Sequence, residues 1–158
     1  MPVSFSDFIA TVPEEQQKFV SALHEYLAEK GCTIKIKEAK SGYAVSYVYA
    51  DKSIMNWVFR KSGVLARIYG DNVPRYESAI AALPTDMQKK MTGSRDCKRL
   101  KDPNACSNTC VMGFVYDIDG TTYKKCRNDG MFFLLSNETG PHIKALIEAE
   151  IAVRQMTV

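Results

Sequence analysis

Apolar residues in the first part of the chain recur every three or four positions, which indicates an amphipathic helix. The residues with this spacing are Phe19, Val20, Leu23 and Leu27. We expect the helix to begin at a capping box formed by residues 11–14 and to end at Gly31. A shorter helix is predicted to begin at residues 4–7.

From residue 33 the spacing of apolar residues changes to two, which is typical of β-strands with one buried face. The predicted strands cover residues 34–37, 43–50, 54–60 and 64–69, with short turns between them. Short turns favour an antiparallel meander. The face predicted to turn toward the core carries Ile34, Ile36, Met55, Trp57, Phe59, Val64, Ala66 and Ile68.

In the second half of the chain, the residue pattern predicts short helices and strands and a closing helix. Two short helices are expected at 74–82 and 84–91, and a hairpin whose strands meet at Asp119-Gly120. A strand is expected at 131–135 and a final helix from Pro141. The pattern predicts one α+β domain over residues 1–158, in which 1–92 hold the helix, meander and short helices. Residues 93–136 form a cysteine loop with its hairpin, and residues 137–158 form the closing helix.

Composition narrows the class of protein. The chain has 158 residues, of which 46% are hydrophobic and 25% charged, as in globular domains. No apolar stretch is long enough for a transmembrane helix, and no secretory signal is recognisable at the N-terminus, so we expect a cytoplasmic protein without membrane contact. The formal net charge is only +3. Positive charge is concentrated in residues 33–69, with seven bases and two acids, and in residues 93–127, with seven and four.

Four cysteines in one segment are the strongest chemical signal. Cys97, Cys106, Cys110 and Cys126 follow the spacing C-x8-C-x3-C-x15-C, whereas Cys32 stands apart and is expected to be buried. Four thiolates suit tetrahedral Zn²⁺, and such a site has no open position for substrate, so the zinc is expected to be structural. With Asp119-Gly120 as the turn, the hairpin register places Gly113 opposite Cys126. The strand that follows Cys110 must then bend or end before it reaches that cysteine. His142 is the alternative to Cys97 as a ligand.

Basic residues surround the cysteines and allow two interpretations. They are Arg95, Lys98, Arg99, Lys101, Lys124, Lys125 and Arg127. They either form a phosphate-binding patch or offset the negative charge of a zinc–thiolate centre, and we favour the second because the net charge of the domain is small.

Residues 113–122 resemble the first motif of the haloacid dehalogenase superfamily, hhhDxDGT. The resemblance implies Asp117 as a phosphoryl-accepting nucleophile and Asp119 as a general acid/base. It covers about ten residues. The family needs a parallel sheet whose later strands carry a lysine and an acidic pair, whereas only 38 residues follow Gly120 here and no acidic pair is in place. Asp-Gly as a hairpin turn explains the same residues.

The second face of the meander offers a further candidate surface. It is predicted to carry Lys35, Lys37, Arg60, Arg67 and Tyr69, a mixture of cations and an aromatic ring that suits single-stranded nucleic acid or an anionic ligand. Solvated residues of a one-sided sheet also explain the pattern, and we favour this second interpretation. The strand containing Tyr43, Val45, Tyr47 and Tyr49 is apolar on both faces and suggests a pocket between sheet and helices.

The sequence therefore predicts a non-catalytic, zinc-stabilised binding or regulatory module for a protein or small ligand. A thiol-based redox or metal sensor and a nucleic-acid-binding protein are the alternatives. No catalytic or cofactor-binding constellation besides the zinc ligands is recognisable, and no family is recognised across the chain.

Overall fold

The computed structural model describes residues 4–40, 42–102, 104 and 113–156, with no description of the side chain of residue 101. Two helices open the chain, α1 (Phe5–Ile9) and α2 (Glu14–Glu29). A capping box begins α1, where the Ser4 amide donates to the Asp7 carboxylate over 3.0 Å. The predicted capping box at residues 11–14 is wrong: Pro13 is the N-cap of α2 and forms no side-chain cap. Gly31, at φ +87°, ends the helix region as expected.

Four strands form the predicted antiparallel meander. They are β1 (Thr33–Ala39), β2 (Gly42–Tyr49), β3 (Lys52–Arg60) and β4 (Gly63–Ile68). The register of β2 against β3 shifts between Tyr47 and Val48, where a β-bulge interrupts the regular pairing. The sequence pattern did not reveal this bulge.

The predicted short helices, hairpin, strand and closing helix follow in the predicted order, but the first short helix begins as a 3-10 turn and one more short helix, Lys98–Lys101, was not predicted. A 3-10 turn (Val73–Tyr76) leads into α3 (Glu77–Ala81), α4 (Thr85–Thr92) and the short α5 (Lys98–Lys101). The hairpin consists of β5 (Phe114–Ile118) and β6 (Thr121–Lys125), and it is followed by β7 (Phe132–Leu134) and α6 (Gly140–Met156).

The main sheet has five strands in the order β1-β2-β3-β4-β7, all antiparallel. The predicted four-stranded sheet thus lacks one strand: β7 pairs with β4, with Ala66 opposite Phe133. The hairpin β5–β6 forms a separate two-stranded sheet. The architecture is α+β, as predicted.

One face of the main sheet carries the core. Met55, Trp57, Ala66 and Ile68 are fully buried, and Val45 and Tyr47 of β2 join them. Ile34 and Ile36 pack against this core but are only half-buried, because β1 is the edge strand. Helices α1, α2 and α6 cover this face, and Tyr43 and Tyr49 also pack on the core. The strand that suggested a pocket therefore contributes to the packed interior.

Candidate functional site

Cys97 and Cys126 lie on neighbouring backbone segments, although 29 positions separate them. Asp96 pairs with Lys125 in an isolated antiparallel bridge at the end of β6. The Cys97 amide donates to the Lys124 carbonyl over 2.9 Å, and the Cys126 amide donates to the Arg95 carbonyl over 2.8 Å. Because side chains alternate across such a pair, the two cysteines point to one face, opposite Lys125.

The same two cysteines line one cavity of about 240 Å³. Cys97 is buried and Cys126 half-buried, and both are free thiols. The Gly113 amide donates to Cys97 Sγ over 3.3 Å, and an Arg95 guanidinium nitrogen lies 3.9 Å from Cys126 Sγ. The described residues that line the cavity, which we call the thiol cavity, are Arg95, Asp96, Cys97, Lys98, Gly113, Cys126, Arg127 and Asn128.

The backbone of Gly113 lies so close to Lys125 and Cys97 that a side chain at position 113 has no space. A Cβ at this position would lie 1.9 Å from the Lys125 carbonyl oxygen and 3.0 Å from Cys97 Cβ. In the sequence, Gly113 is marked only by its predicted place in the hairpin register. Its position three residues after Cys110 was the available signal, since glycine often marks close approach of two backbones.

The described residues contain two of the four predicted zinc ligands. Cys106 and Cys110 lie outside the described residues, as does the predicted bend before Cys110, and β5 begins at Phe114. Over the ranges described, no group of three or more His, Cys, Asp or Glu side chains is placed to hold a metal. His142, the alternative ligand, lies on α6 and is not among the described residues lining the thiol cavity.

Charged side chains around the thiol cavity are held in place by ion pairs. Arg95 pairs with Asp129 over 2.5 Å, and Arg127 pairs with Asp71. Lys125 extends on the opposite side, where its buried ammonium donates to Asp96 and to the Ser94 carbonyl. Arg95, Lys98 and Arg127 line the cavity together with Asp96.

The hairpin confirms the turn interpretation of the Asp-Gly motif. Asp119 and Gly120 both have left-handed backbone angles, φ +49° and +80°, and Ile118 pairs with Thr121. Asp117 lies on β5 and accepts a hydrogen bond from the Thr122 hydroxyl. The motif belongs to a two-stranded antiparallel sheet, which does not match the parallel sheet that the phosphatase resemblance implies.

The outer face of the main sheet adjoins the thiol cavity. The strand register places Lys35, Ser46, Asn56, Arg67 and Phe132 opposite one another in one row across all five strands. The Arg67 guanidinium lies over the Phe132 ring, 4.5 Å from its centroid. Arg67 Nε also donates to the Asn128 carbonyl over 2.9 Å, and Asn128 lines the thiol cavity.

A second polar cluster is buried and was not found from the sequence. Glu150, fully buried on α6, accepts hydrogen bonds from the Asn72 side chain (2.8 Å), the Tyr76 hydroxyl (2.9 Å) and Arg154 Nε (2.8 Å). Burial and the nearby Glu150 carboxylate raise the pKa of Tyr76. The only sequence signal was a Glu–Arg pair four residues apart, which is usually a surface feature of helices. Since the carboxylate and guanidinium make so many internal hydrogen bonds, we assign this cluster to structure.

Comparisons with known proteins give no relative for this chain. No family model matches it, and neither a curated protein nor a solved structure shows significant similarity. Within the described ranges, no helix is long and apolar enough to cross a membrane. Function must therefore be inferred from the site alone.

Proposed function

We propose that this chain is a non-catalytic binding module, working in the cytoplasm, whose segment 93–127 is held together by one structural zinc ion. The ligands are Cys97, Cys106, Cys110 and Cys126. The observation that carries the proposal is the backbone pairing that brings Cys97 and Cys126 to one face of one cavity.

The donor chemistry of the thiol cavity suits zinc. Thiolate sulfur is a preferred ligand of Zn²⁺, and backbone N–H groups that donate to such sulfurs stabilise the thiolate. Gly113 supplies one such N–H to Cys97. Four thiolates around Zn²⁺ leave a net charge of −2, which Arg95, Lys98 and Arg127 offset.

The proposed role of the metal is to stabilise the fold. Four protein sulfurs occupy every position of a tetrahedral ion, so water and substrate have no access to it. Structural zinc sites contribute apparent binding energies on the order of 10–16 kcal/mol at neutral pH, enough to order a polar segment. Free thiols at Cys32, Cys97 and Cys126 support the proposed cytoplasmic location, where the glutathione and thioredoxin systems keep thiols reduced.

Metal analysis of the purified protein tests the proposal. We expect one zinc per chain, with four of the five thiols unreactive until a chelator and denaturant are added together. Cys97→Ser and Cys126→Ser are each expected to lower zinc content and thermal stability. The matched control is Cys32→Ser, because Cys32 lies outside the cluster and burial raises the pKa of its thiol.

Two outcomes reject the proposal. Protein that contains no transition metal after expression with zinc would exclude the zinc centre. If such metal-free protein forms a reversible Cys97–Cys126 disulfide with peroxide, the redox-sensor alternative replaces it, because the two thiols already share one face.

A further inference from the structure

The outer face of the main sheet concentrates positive charge, although the net charge of the whole chain is small. Lys35, Lys37, Arg60 and Arg67 all lie on this face by the strand register. Among the described residues paired on this face, none is Asp or Glu. The chain has a formal net charge of +3, so these four cations leave the remaining residues with a net charge of −1.

The outer face is open to a partner. Ser46, Asn56 and Val58, all on interior strands, keep part of their surface exposed, whereas Val45, Met55 and Trp57 on the opposite face are fully buried. Helices α1, α2 and α6 pack on that opposite face. On the outer face, Leu65 of β4 is buried and lines a cavity with Leu134 and with Met87 and Lys90 of α4.

Planar groups accompany the cations at one end of the face. The Arg67 guanidinium lies 4.5 Å from the centroid of the Phe132 ring, and the Arg127 guanidinium, which also pairs with Asp71, lies 4.9 Å from the centroid of the Tyr69 ring. Tyr69 belongs to the same face, since its hydroxyl accepts a hydrogen bond from Asn56 Nδ2 over 2.9 Å. Guanidinium and aromatic planes are the surfaces on which unpaired bases stack.

From this arrangement we infer that the outer sheet face binds single-stranded nucleic acid. Its backbone phosphates lie along the row from Lys35 to Arg67, and its bases stack against the Arg67–Phe132 and Arg127–Tyr69 planes. The row crosses three strand spacings, about 14 Å, from Lys35 to Arg67 and four, about 19 Å, to Phe132, which accommodates several nucleotides. An acidic protein would satisfy the cations but would leave the stacked planes without a role, and a duplex hides its bases.

The inference names the partner of the proposed binding module but uses a different surface from the zinc ligands. The sequence alone placed these cations on one face but favoured a protein or small ligand, because solvated residues of a one-sided sheet explain the same pattern. The structure adds the contacts of Arg67 with Phe132 and of Arg127 with Tyr69. Zinc content is therefore measured on every sample, so that loss of nucleic-acid binding with zinc intact is distinguishable from failure of the zinc centre.

Fluorescence anisotropy with labelled oligo(dT) and oligo(U) of about 12 nucleotides tests the inference. We expect Kd of about 10⁻⁶ to 10⁻⁴ M at low salt, with weaker binding to a duplex of equal length and to poly-glutamate. Four phosphate contacts predict a slope of log K against log salt of about −3, and hence about 50-fold weaker binding when salt rises from about 50 to 200 mM.

Two variants on the outer face separate charge from stacking. Lys35→Gln/Lys37→Gln removes two exposed cations and is expected to reduce the magnitude of the salt slope by about 1.4. Arg67→Lys keeps the charge but removes the plane over Phe132, so it should weaken binding while leaving the salt slope unchanged. The matched control, Lys18→Gln/Lys30→Gln, removes two exposed cations of the α2 region and should bind as the parent does.

Three results overturn the inference. They are absence of single-strand binding at low salt, equal or tighter binding of poly-glutamate or duplex, and equal weakening by the control variant. The second result would assign the face to an acidic protein or to duplex backbone instead.

Discussion

Gly113 is the residue on which the geometry of the thiol cavity depends most directly. Its amide contacts Cys97 Sγ, and the space for a Cβ is occupied by the Lys125 carbonyl oxygen. A side chain here must push β6 away from the segment that carries Cys97.

We predict that Gly113→Ala destabilises the protein by about 1–3 kcal/mol and lowers its zinc content, because overpacking displaces backbone that has no room to adjust. Urea unfolding with metal analysis measures both. Gly93→Ala is the control, since its nearest backbone atom, the Lys89 carbonyl oxygen, would lie 3.1 Å from the new Cβ. Equal stability and zinc content in Gly113→Ala and the parent would contradict the described approach.

His24 is a half-buried histidine whose titration affects stability. Its ring stacks on Phe5 at 3.8 Å between centroids, and Nδ1 lies 2.9 Å from the Tyr47 hydroxyl. Burial lowers the pKa of His24 below its usual 6.5, an effect that Glu25 partly opposes. The unfolded state therefore binds a proton more readily than the folded state near that pH.

The predicted consequence is a free energy of unfolding that is constant above about pH 7 and falls as the pH is lowered through about 6.5. Urea unfolding between about pH 5.5 and 7.5 measures it, a window in which histidines are the side chains that ordinarily titrate. His24→Gln should flatten the dependence, and His142→Gln should leave it in place. An unchanged slope in His24→Gln would assign the effect to another group.

At the scale of elements, the β5–β6 hairpin depends on its two-residue turn. Asp119 and Gly120 occupy left-handed conformations that match the twist of the strands. A Cβ on Gly120 would meet no atom within 4 Å, so any cost of substitution comes from the backbone conformation alone.

We therefore predict that Gly120→Ala costs about 1 kcal/mol of stability without altering the packed structure. Asp119→Asn should be nearly neutral, since asparagine tolerates the same conformation, and it also removes a carboxylate that the phosphatase resemblance would require. Chemical unfolding compares the three proteins. If Gly120→Ala matched the parent, the turn would not have the described conformation.

Strands close in sequence were predictable, whereas the partner of β7 was not. The meander follows from alternating residues and short turns, which act between neighbours in the chain. The 131–135 strand was expected from its apolar residues, but its pairing with β4 joins Phe133 to Ala66 across 67 positions. No local signal specifies such a partner, because long-range pairing depends on which arrangement buries the most apolar surface.

At the scale of the molecule, Arg154 connects α6 with two other segments. Its guanidinium donates to the carbonyls of Lys52 (3.1 Å), Ser53 (3.0 Å) and Tyr69 (3.1 Å) and pairs with Asp71 and Glu150. The closing helix, the start of β3 and the segment after β4 thus share one buried cation.

We predict that Glu150→Met and Arg154→Met each destabilise the protein by about 3–5 kcal/mol, because each breaks the buried ion pair of Glu150 with Arg154. Arg154→Met is expected to lie at the upper end, because in Glu150→Met the guanidinium keeps its ion pair with Asp71. The double variant should cost less than the sum of the two, with a coupling energy of about 0.5–3 kcal/mol. Thermal and urea unfolding of the four proteins complete this double-mutant cycle. Additive effects would show that the two groups act independently.

The sequence by itself determined the helices, the meander, the hairpin turn and the alternation that separates core from outer face. These features follow from the spacing of apolar residues and from glycines with left-handed angles, such as Gly31 and Gly120, which act within a few residues of chain. Only the tertiary structure decided that Cys97 lies beside Cys126, that β7 extends the sheet and that Glu150 is buried with Arg154. Each of these contacts joins distant segments, and its formation depends on the packing free energy of the whole fold.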